Sequence, residues 1–234
     1  MRRAALLALV AAFVAGCGST HDTGRATVWV TRDRGAVMLR VAKVPAGLSA
    51  MQGLERVAKV ETRYGGRYVH SVDGVGEHGR RAWFYYVNGY LADRGAADYR
   101  LRAGDVEWWD FRQWRDPAQD PVVVGAFPEP FLHGYDGKRR PTAILYDGPS
   151  RRRGALALGK LLHASFVRPA SAVPPKHANL LLLLTSATSG RLRFEQEGQA
   201  STPRPGGAVF FVFSGDPVRL ARHPHMFRFR YSVP

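Results

Sequence analysis

One cysteine, Cys17, occurs in 234 residues. A lone thiol cannot close an intramolecular disulfide, so the fold has to rest on packing, and the chain is long enough to bury real cores. Lysine is scarce, with five among the 34 basic residues, so arginine carries nearly all the positive charge. Beyond residue 15 no apolar run approaches the roughly 20 residues of a membrane-spanning helix; Leu180–Leu184 is five leucines and reads as a buried strand. Recognisable catalytic motifs are also missing. No G-x-S-x-G elbow is present, and the carboxylates Asp105 and Glu107 sit in a turn-and-strand context where Asp105 is expected to bond turn amides. His223-Pro224-His225 has no nearby carboxylate or cysteine to complete a metal set. His70 and His78 flank a polar loop with Asp73 and Glu77, read as solvated. The expectation is a protein without catalytic residues, metal or required cofactor.

The N-terminus reads as a targeting segment. Arg2 and Arg3 precede an unbroken apolar run from Ala4 to Ala15, and Val14-Ala15-Gly16-Cys17 follows. The run is too short to span a bilayer and suits the apolar region of an export signal. The small residues before Cys17 resemble a bacterial lipobox, which implies cleavage after residue 16, acylation of Cys17, and an extracytoplasmic protein held to the membrane by its lipid. More than one acyl chain makes such anchoring stable. Residues 17–25 read as a polar tether.

Charge is uneven. Residues 17–119 carry 16 basic and 12 acidic side chains; residues 120–234 carry 16 and 7. Two triplets, Lys138-Arg139-Arg140 and Arg151-Arg152-Arg153, flank an expected strand. No nucleic-acid motif accompanies them. They read as a solvated arginine-rich surface or as contacts to an anionic membrane or wall polymer.

Aromatic residues concentrate between 82 and 114, in A-W-F-Y-Y-V-N-G-Y and then G-D-V-E-W-W-D-F-R-Q-W. Asn88-Gly89 suits a tight hairpin turn. Strand alternation puts Trp83, Tyr85 and Val87 on one face and Phe84, Tyr86 and Asn88 on the other; in the second run Val106, Trp108 and Asp110 oppose Glu107, Trp109 and Phe111. Large rings therefore occupy both faces. One face can serve a core, and the other has to be covered by a neighbour or kept for a ligand.

The W-x-Y-x-V-N-G and G-D-x-x-x-W elements here, with Y-G-G-R-Y-V-H-S-V-D-G at 64–74, resemble the transcobalamin-like C-terminal domain family over residues 25–114. That resemblance implies a β-grasp-related fold and makes a corrinoid the first ligand to consider, although the helical domain that covers the other face of cobalamin in the carriers is lacking.

The expected fold is α+β: a β-grasp-like domain at 26–115, then a strand-rich α+β region at 121–234. In the first, strands at 28–31 and 37–44 form a hairpin across Asp33-Arg34-Gly35. Ser49 with Gln52 forms a capping box, and Leu48, Met51, Leu54, Val57 and Ala58 make a helical stripe. Strands at 68–72, 82–87 and 106–111 follow, with a helical turn at 95–99. Asp116-Pro117 to Asp120-Pro121 marks the boundary. Beyond it, strands are expected at 122–124, 142–146, 180–185, 192–197, 209–213 and 227–231, with a helix at 154–162. Those strands either form their own sheet or extend the first.

The candidate site is a stacking surface of Tyr64, Tyr85, Tyr86, Trp108, Trp109 and Trp114, with Asn88 and Asp110 orienting a planar or sugar-bearing ligand by hydrogen bonds. The expected function is small-molecule binding at the envelope. The rival is an interaction module that docks an envelope protein or wall polymer.

Overall fold

The structure is a computed structural model that describes residues 23–113, 120–185, 190–195 and 204–231. Cys17, the leader, most of the tether, Trp114 and residues 116–119 of the expected boundary lie outside the described residues. The chain is α+β, with strands in the majority.

The first sheet follows from the hairpin and the two aromatic runs. β1 (Arg25–Arg32) and β2 (Val37–Pro45) pair antiparallel across the expected turn. β1 begins at Arg25, the last residue read as tether. Ser49 caps the short helix α1 (Ala50–Glu55) in both directions of the capping box: its hydroxyl accepts from the Gln52 amide at 3.1 Å, and its own amide donates to the Gln52 side chain at 2.9 Å. A small sheet follows, of β3 (Val60–Arg63), β4 (Tyr68–Val72) and β5 (Val75–Gly76). Then come β6 (Arg81–Val87), β7 (Tyr90–Leu91) and β8 (Val106–Gln113). Asn88 and Gly89 both adopt positive φ, 50° and 87°, in the tight turn between β6 and β7. β8 is central: parallel to β1 and antiparallel to β6, in the order β2-β1-β8-β6-β7. One face of this mixed sheet packs on α1, as a β-grasp requires.

The second half builds a separate sheet, and that sheet is mainly parallel. α2 (Glu129–Leu132) precedes β9 (Thr142–Tyr146), α3 (Arg152–Leu161), β10 (Phe166–Pro169), β11 (Asn179–Leu184), β12 (Arg191–Glu195), β13 (Phe210–Ser214) and α4 (Pro217–Arg222). The order is β10-β9-β11-β13-β12, with only β12 antiparallel. The five-leucine run is β11, hydrogen-bonded on both sides, which accounts for its continuous apolarity.

Two expected strands are not strands. Residues 124–126 form a single 3₁₀ turn, and Val122 contributes only an isolated bridge to Tyr90. The alternating F-R-F-R-Y at 227–231 is a series of turns, with Arg228 N–H bonded to His225 O and Arg230 N–H to Phe227 O. Residues 121–123 run beside β7, with Val123 N–H bonded to Gly89 O and Leu91 N–H to Pro121 O, while the 227–231 segment lies across one face of the first sheet. Gly35 and Gly125 make this close approach possible. A Cβ on Gly35 would lie 1.7 Å from the Phe229 carbonyl oxygen, and one on Gly125 would lie 2.4 Å from that of Arg230.

The two halves share a continuous core. The α1 face of the first sheet (Val28, Trp83, Trp109, Phe111) joins the second sheet (Ile144, Leu181, Phe211) through Val124, Phe127 and Phe131. A smaller cluster on the opposite face of the first sheet holds Trp29, Tyr86, Trp108, Val123 and Tyr231, with Phe229 packed on it.

Candidate functional site

Side-chain alternation in β6 and β8 is as the sequence implies: Trp83, Val87, Trp109 and Phe111 face α1, while Tyr86 and Trp108 face away. What covers the second face is the chain's own C-terminal segment. Phe229 meets Trp29 edge-on at 4.9 Å, and Tyr231 meets Trp108 and Tyr86 at 5.3 and 5.5 Å. Tyr86 and Trp108 are 0% exposed and Trp109 is 3% exposed. These three rings are core, and none lines a described cleft.

The polar residues expected to orient a ligand are likewise committed inside. Asp110 accepts from the Thr31 hydroxyl at 2.6 Å, from the amides of Arg34 and Gly35 at 3.1 Å each, and from the Tyr231 hydroxyl at 3.0 Å. Asn88 donates to Asp105 at 2.7 Å and to the Gly134 carbonyl at 2.9 Å, and accepts from the Val106 amide at 2.8 Å. Both are buried and saturated, so they hold turns and strands together. Asp105 accepts from the Arg102 amide at 2.8 Å, the turn role expected of it.

Tyr85 is half-buried, stacked on Trp109 at 4.9 Å, with its hydroxyl donating to the Arg94 carbonyl. Tyr64 alone of the described rings is open, at 79% exposure, and it meets Tyr68 edge-on at 6.0 Å. Tyr68 leads to a cleft that the sequence did not single out.

This cleft, of ≈ 650 Å³, is lined by Tyr68, Trp83, Phe84, Glu77, His78 and Arg81, among others. β7 is two residues long and pairs only with Tyr86 and Val87, and Arg81 bridges back to His78, so the middle of β6 around Trp83 has no strand partner on that side and the cleft opens there. The β4–β5 hairpin forms the opposite wall, tied across by the Trp83 indole N–H to the Val75 carbonyl at 2.8 Å. The Tyr68 hydroxyl donates to Glu77 at 2.6 Å, and Arg63 donates to the other Glu77 oxygen at 2.8 Å. The Tyr68 hydrogen bond above all, then His70 and Arg63, holds the Glu77 carboxyl below its usual range; burial and Glu77 push the Tyr68 hydroxyl up to about 12. The wall therefore keeps a neutral phenol and a charged carboxylate across neutral pH. Arg81 is paired with Asp33. The cleft offers aromatic surface rimmed by polar groups largely engaged with one another, which suits a mostly apolar, flat molecule with few polar contacts. His70, Asp73 and Glu77 are wired into hydrogen bonds and ion pairs with Arg63, Arg40 and the Lys59 amide, so the loop is less solvated than expected.

The basic triplets lie before and after β9, at opposite ends of a strand about 16 Å long. They are not one patch. Lys138, Arg139, Arg152 and Arg153 are exposed. Arg140 is half-buried and bonds the Gly206 carbonyl at 2.6 Å, and Arg151 bonds the Gly215 carbonyl. These two hold loops, and surface charge is left to the other four.

Comparison with solved structures finds a candidate metal-binding protein from Ruminococcus gnavus ATCC 29149, at 16% identity over 39% of this chain and 99% of that one, with a TM-score of 0.33. Haptocorrin in complex with Cbi is similar at 17% identity over 40% of this chain and 26% of its own, also at 0.33. At such TM-scores neither likeness assigns a ligand. No curated protein matches. Residues 47–113, under a third of the chain, match the family described as a domain of unknown function, DUF4430.

Proposed function

We propose that this chain is a non-enzymatic, lipid-anchored envelope protein that takes up a small, flat, largely apolar molecule in the cleft between β6 and the β4–β5 hairpin. The observation that carries the reading is the aromatic-walled cleft beside the unpaired part of β6, inside the segment that matches a family. The buried Tyr86, Trp108 and Trp109 present no face to a corrinoid macrocycle. Native mass spectrometry of acyl-free protein purified from its own host tests the reading. A retained small molecule that is lost on Ala82→Trp, which fills the cleft, is the expected result. Retention unchanged by that variant sinks it. Titration with cyanocobalamin, followed by tryptophan fluorescence, is expected to give no saturable change.

Anchoring rests on the N-terminal sequence. With Cys17→Ala the thiol that would accept the lipid is gone, and the protein is expected in the soluble fraction with its thermal midpoint unchanged. Detergent-sensitive membrane attachment that survives this variant contradicts the lipoprotein reading.

A second reading, docking to an envelope protein, draws on one feature: Val37, Met38, Leu39 and Val41 are exposed on the edge strand β2. The edge is partly blocked, however. Pro45 ends it, the Arg25 guanidinium covers the Lys43 carbonyl, and the register slips between Val30 and Thr31.

A further inference from the structure

Parallel sheets gather the loops that follow their strands at one end, and ligands commonly bind there. In the second sheet that end collects the loop after β9, the start of β12 and the loop after β13. A separate cleft of ≈ 440 Å³ lies among them, lined by Ser150 and Arg151 after β9, Gly190, Phe213, the Gly215–Asp216 turn, Arg219 and Met226.

Its charge is unusual. Arg151 is half-buried; one terminal nitrogen donates to the Gly215 carbonyl, while its Nε is buried with no hydrogen-bond partner. Neither Arg151, Arg152 nor Arg219 takes part in an ion pair among the described residues. Asp216, the acidic group in the lining, caps α4 by accepting from the Val218 amide at 2.9 Å. Arg151, Arg152 and Arg153 also stand at the start of α3, where the helix dipole favours anions over cations, and no acidic residue occupies its first turn. Two guanidinium groups, Arg151 and Arg219, thus line the cleft against the single carboxylate of Asp216, and none of the three is in an ion pair among the described residues. Phe213, Val218 and Met226 supply an apolar side.

We propose that this cleft binds a small organic phosphate. Arg151 and Arg219 would take the phosphate oxygens, the Ser150 hydroxyl would add a hydrogen bond, and the organic body would lie on Phe213 and Met226. A phosphate monoester carries nearly two negative charges and three acceptor oxygens at neutral pH, so it engages two guanidinium groups outside any ion pair more strongly than the single charge of a carboxylate does, Asp216 notwithstanding. The site is distinct from the β6 cleft and stands or falls separately from it.

The test is calorimetric titration of the full chain with phenyl phosphate, inorganic phosphate, benzoate and benzyl alcohol in turn. Phenyl phosphate is expected to bind saturably and at least tenfold more tightly than inorganic phosphate or benzoate, and benzyl alcohol not to bind. Arg219→Gln, which breaks no hydrogen bond seen in the structure, is expected to weaken phenyl phosphate at least tenfold with an unchanged thermal midpoint. Arg151→Gln should do the same, and Arg219→Gln keeps the test valid if the loss of the Gly215 contact unfolds that variant. Vesicles rich in phosphatidylglycerol form a second arm. Vesicle binding that depends on Arg219 without phenyl phosphate binding would assign the cleft to a lipid headgroup and overturn the proposal. Absent or Arg219-independent phenyl phosphate binding would overturn it too.

Discussion

Glu107 shows most clearly how a residue's surroundings set its chemistry. It sits on the α1 face of β8 at 0% exposure; one oxygen accepts from the Trp109 indole at 2.5 Å and the other has no partner. Burial pushes its carboxyl well above the usual range, and nearby Asp105 adds to the rise. A carboxyl with a raised folded-state pKa stabilises the fold fully below its unfolded value, about 4.3, and loses that contribution as pH climbs toward the folded value. In Glu107→Gln the loss cannot occur. Thermal or denaturant melts from pH 4 upward should therefore show the parent weakening relative to the variant, by up to roughly 1.4 kcal/mol for each pH unit inside the window. Parallel profiles would contradict a protonated Glu107. Asp110, unlike the half-satisfied Glu107, accepts from four donors. Asp110→Ala strands those donors in a buried site and is expected to cost about 3 kcal/mol or more in urea unfolding, since each unsatisfied buried group costs about 1–3 kcal/mol.

At the scale of elements, local chemistry decided what was local. The Ser49–Gln52 capping box, the Asn88-Gly89 turn and the helix at α3 all lie where residue patterns put them. Ser49→Ala is expected to lower stability by about 1 kcal/mol, the usual value of such a cap, measured by chemical denaturation. β3, β5, β10 and α4 carry too little pattern to be seen in advance, being four, two, four and six residues long. The alternation in 227–231 misled for a different reason. Period-two apolarity signals two-sided placement, and here turns deliver Phe227 to one core and Phe229 and Tyr231 to another without any strand. Phe229 even adopts a φ of 66°, a conformation a bulky residue takes only when its surroundings hold it there.

For the whole molecule, the C-terminal segment closes the aromatic face. A chain ending before residue 225 is expected to expose Trp29, Tyr86 and Trp108, to bind anilinonaphthalene sulfonate, and to show red-shifted tryptophan emission. An unshifted spectrum would mean that the first sheet covers that face without help. Gly125→Ala tests the same closure from within. Its methyl would meet the backbone of Arg230 at 2.4 Å, so it should destabilise the protein by several kcal/mol, well beyond the ~1 kcal/mol expected at Gly65, where a Cβ meets open space but φ is 67°.

Sequence alone determined the α+β class, the succession of strands and helix in the first half, the two-faced aromatic strands and the capped helix, because each depends on neighbours a few residues apart. The candidate site was not legible in the same way. Tyr86, Trp108 and Asp110 have the composition of a ligand face, and whether such a face is open depends on what lies over it. Residues 123, 229 and 231 lie over it, the last more than 120 positions along the chain from Asp110. The usable cleft arises from an absence, a β7 too short to pair the middle of β6, and no residue within β6 signals that. The direction of the second sheet was equally hidden, since a buried apolar run such as Leu180–Leu184 reads the same in parallel and antiparallel company. Pairing partners and coverage are long-range facts, and only the tertiary structure decided them.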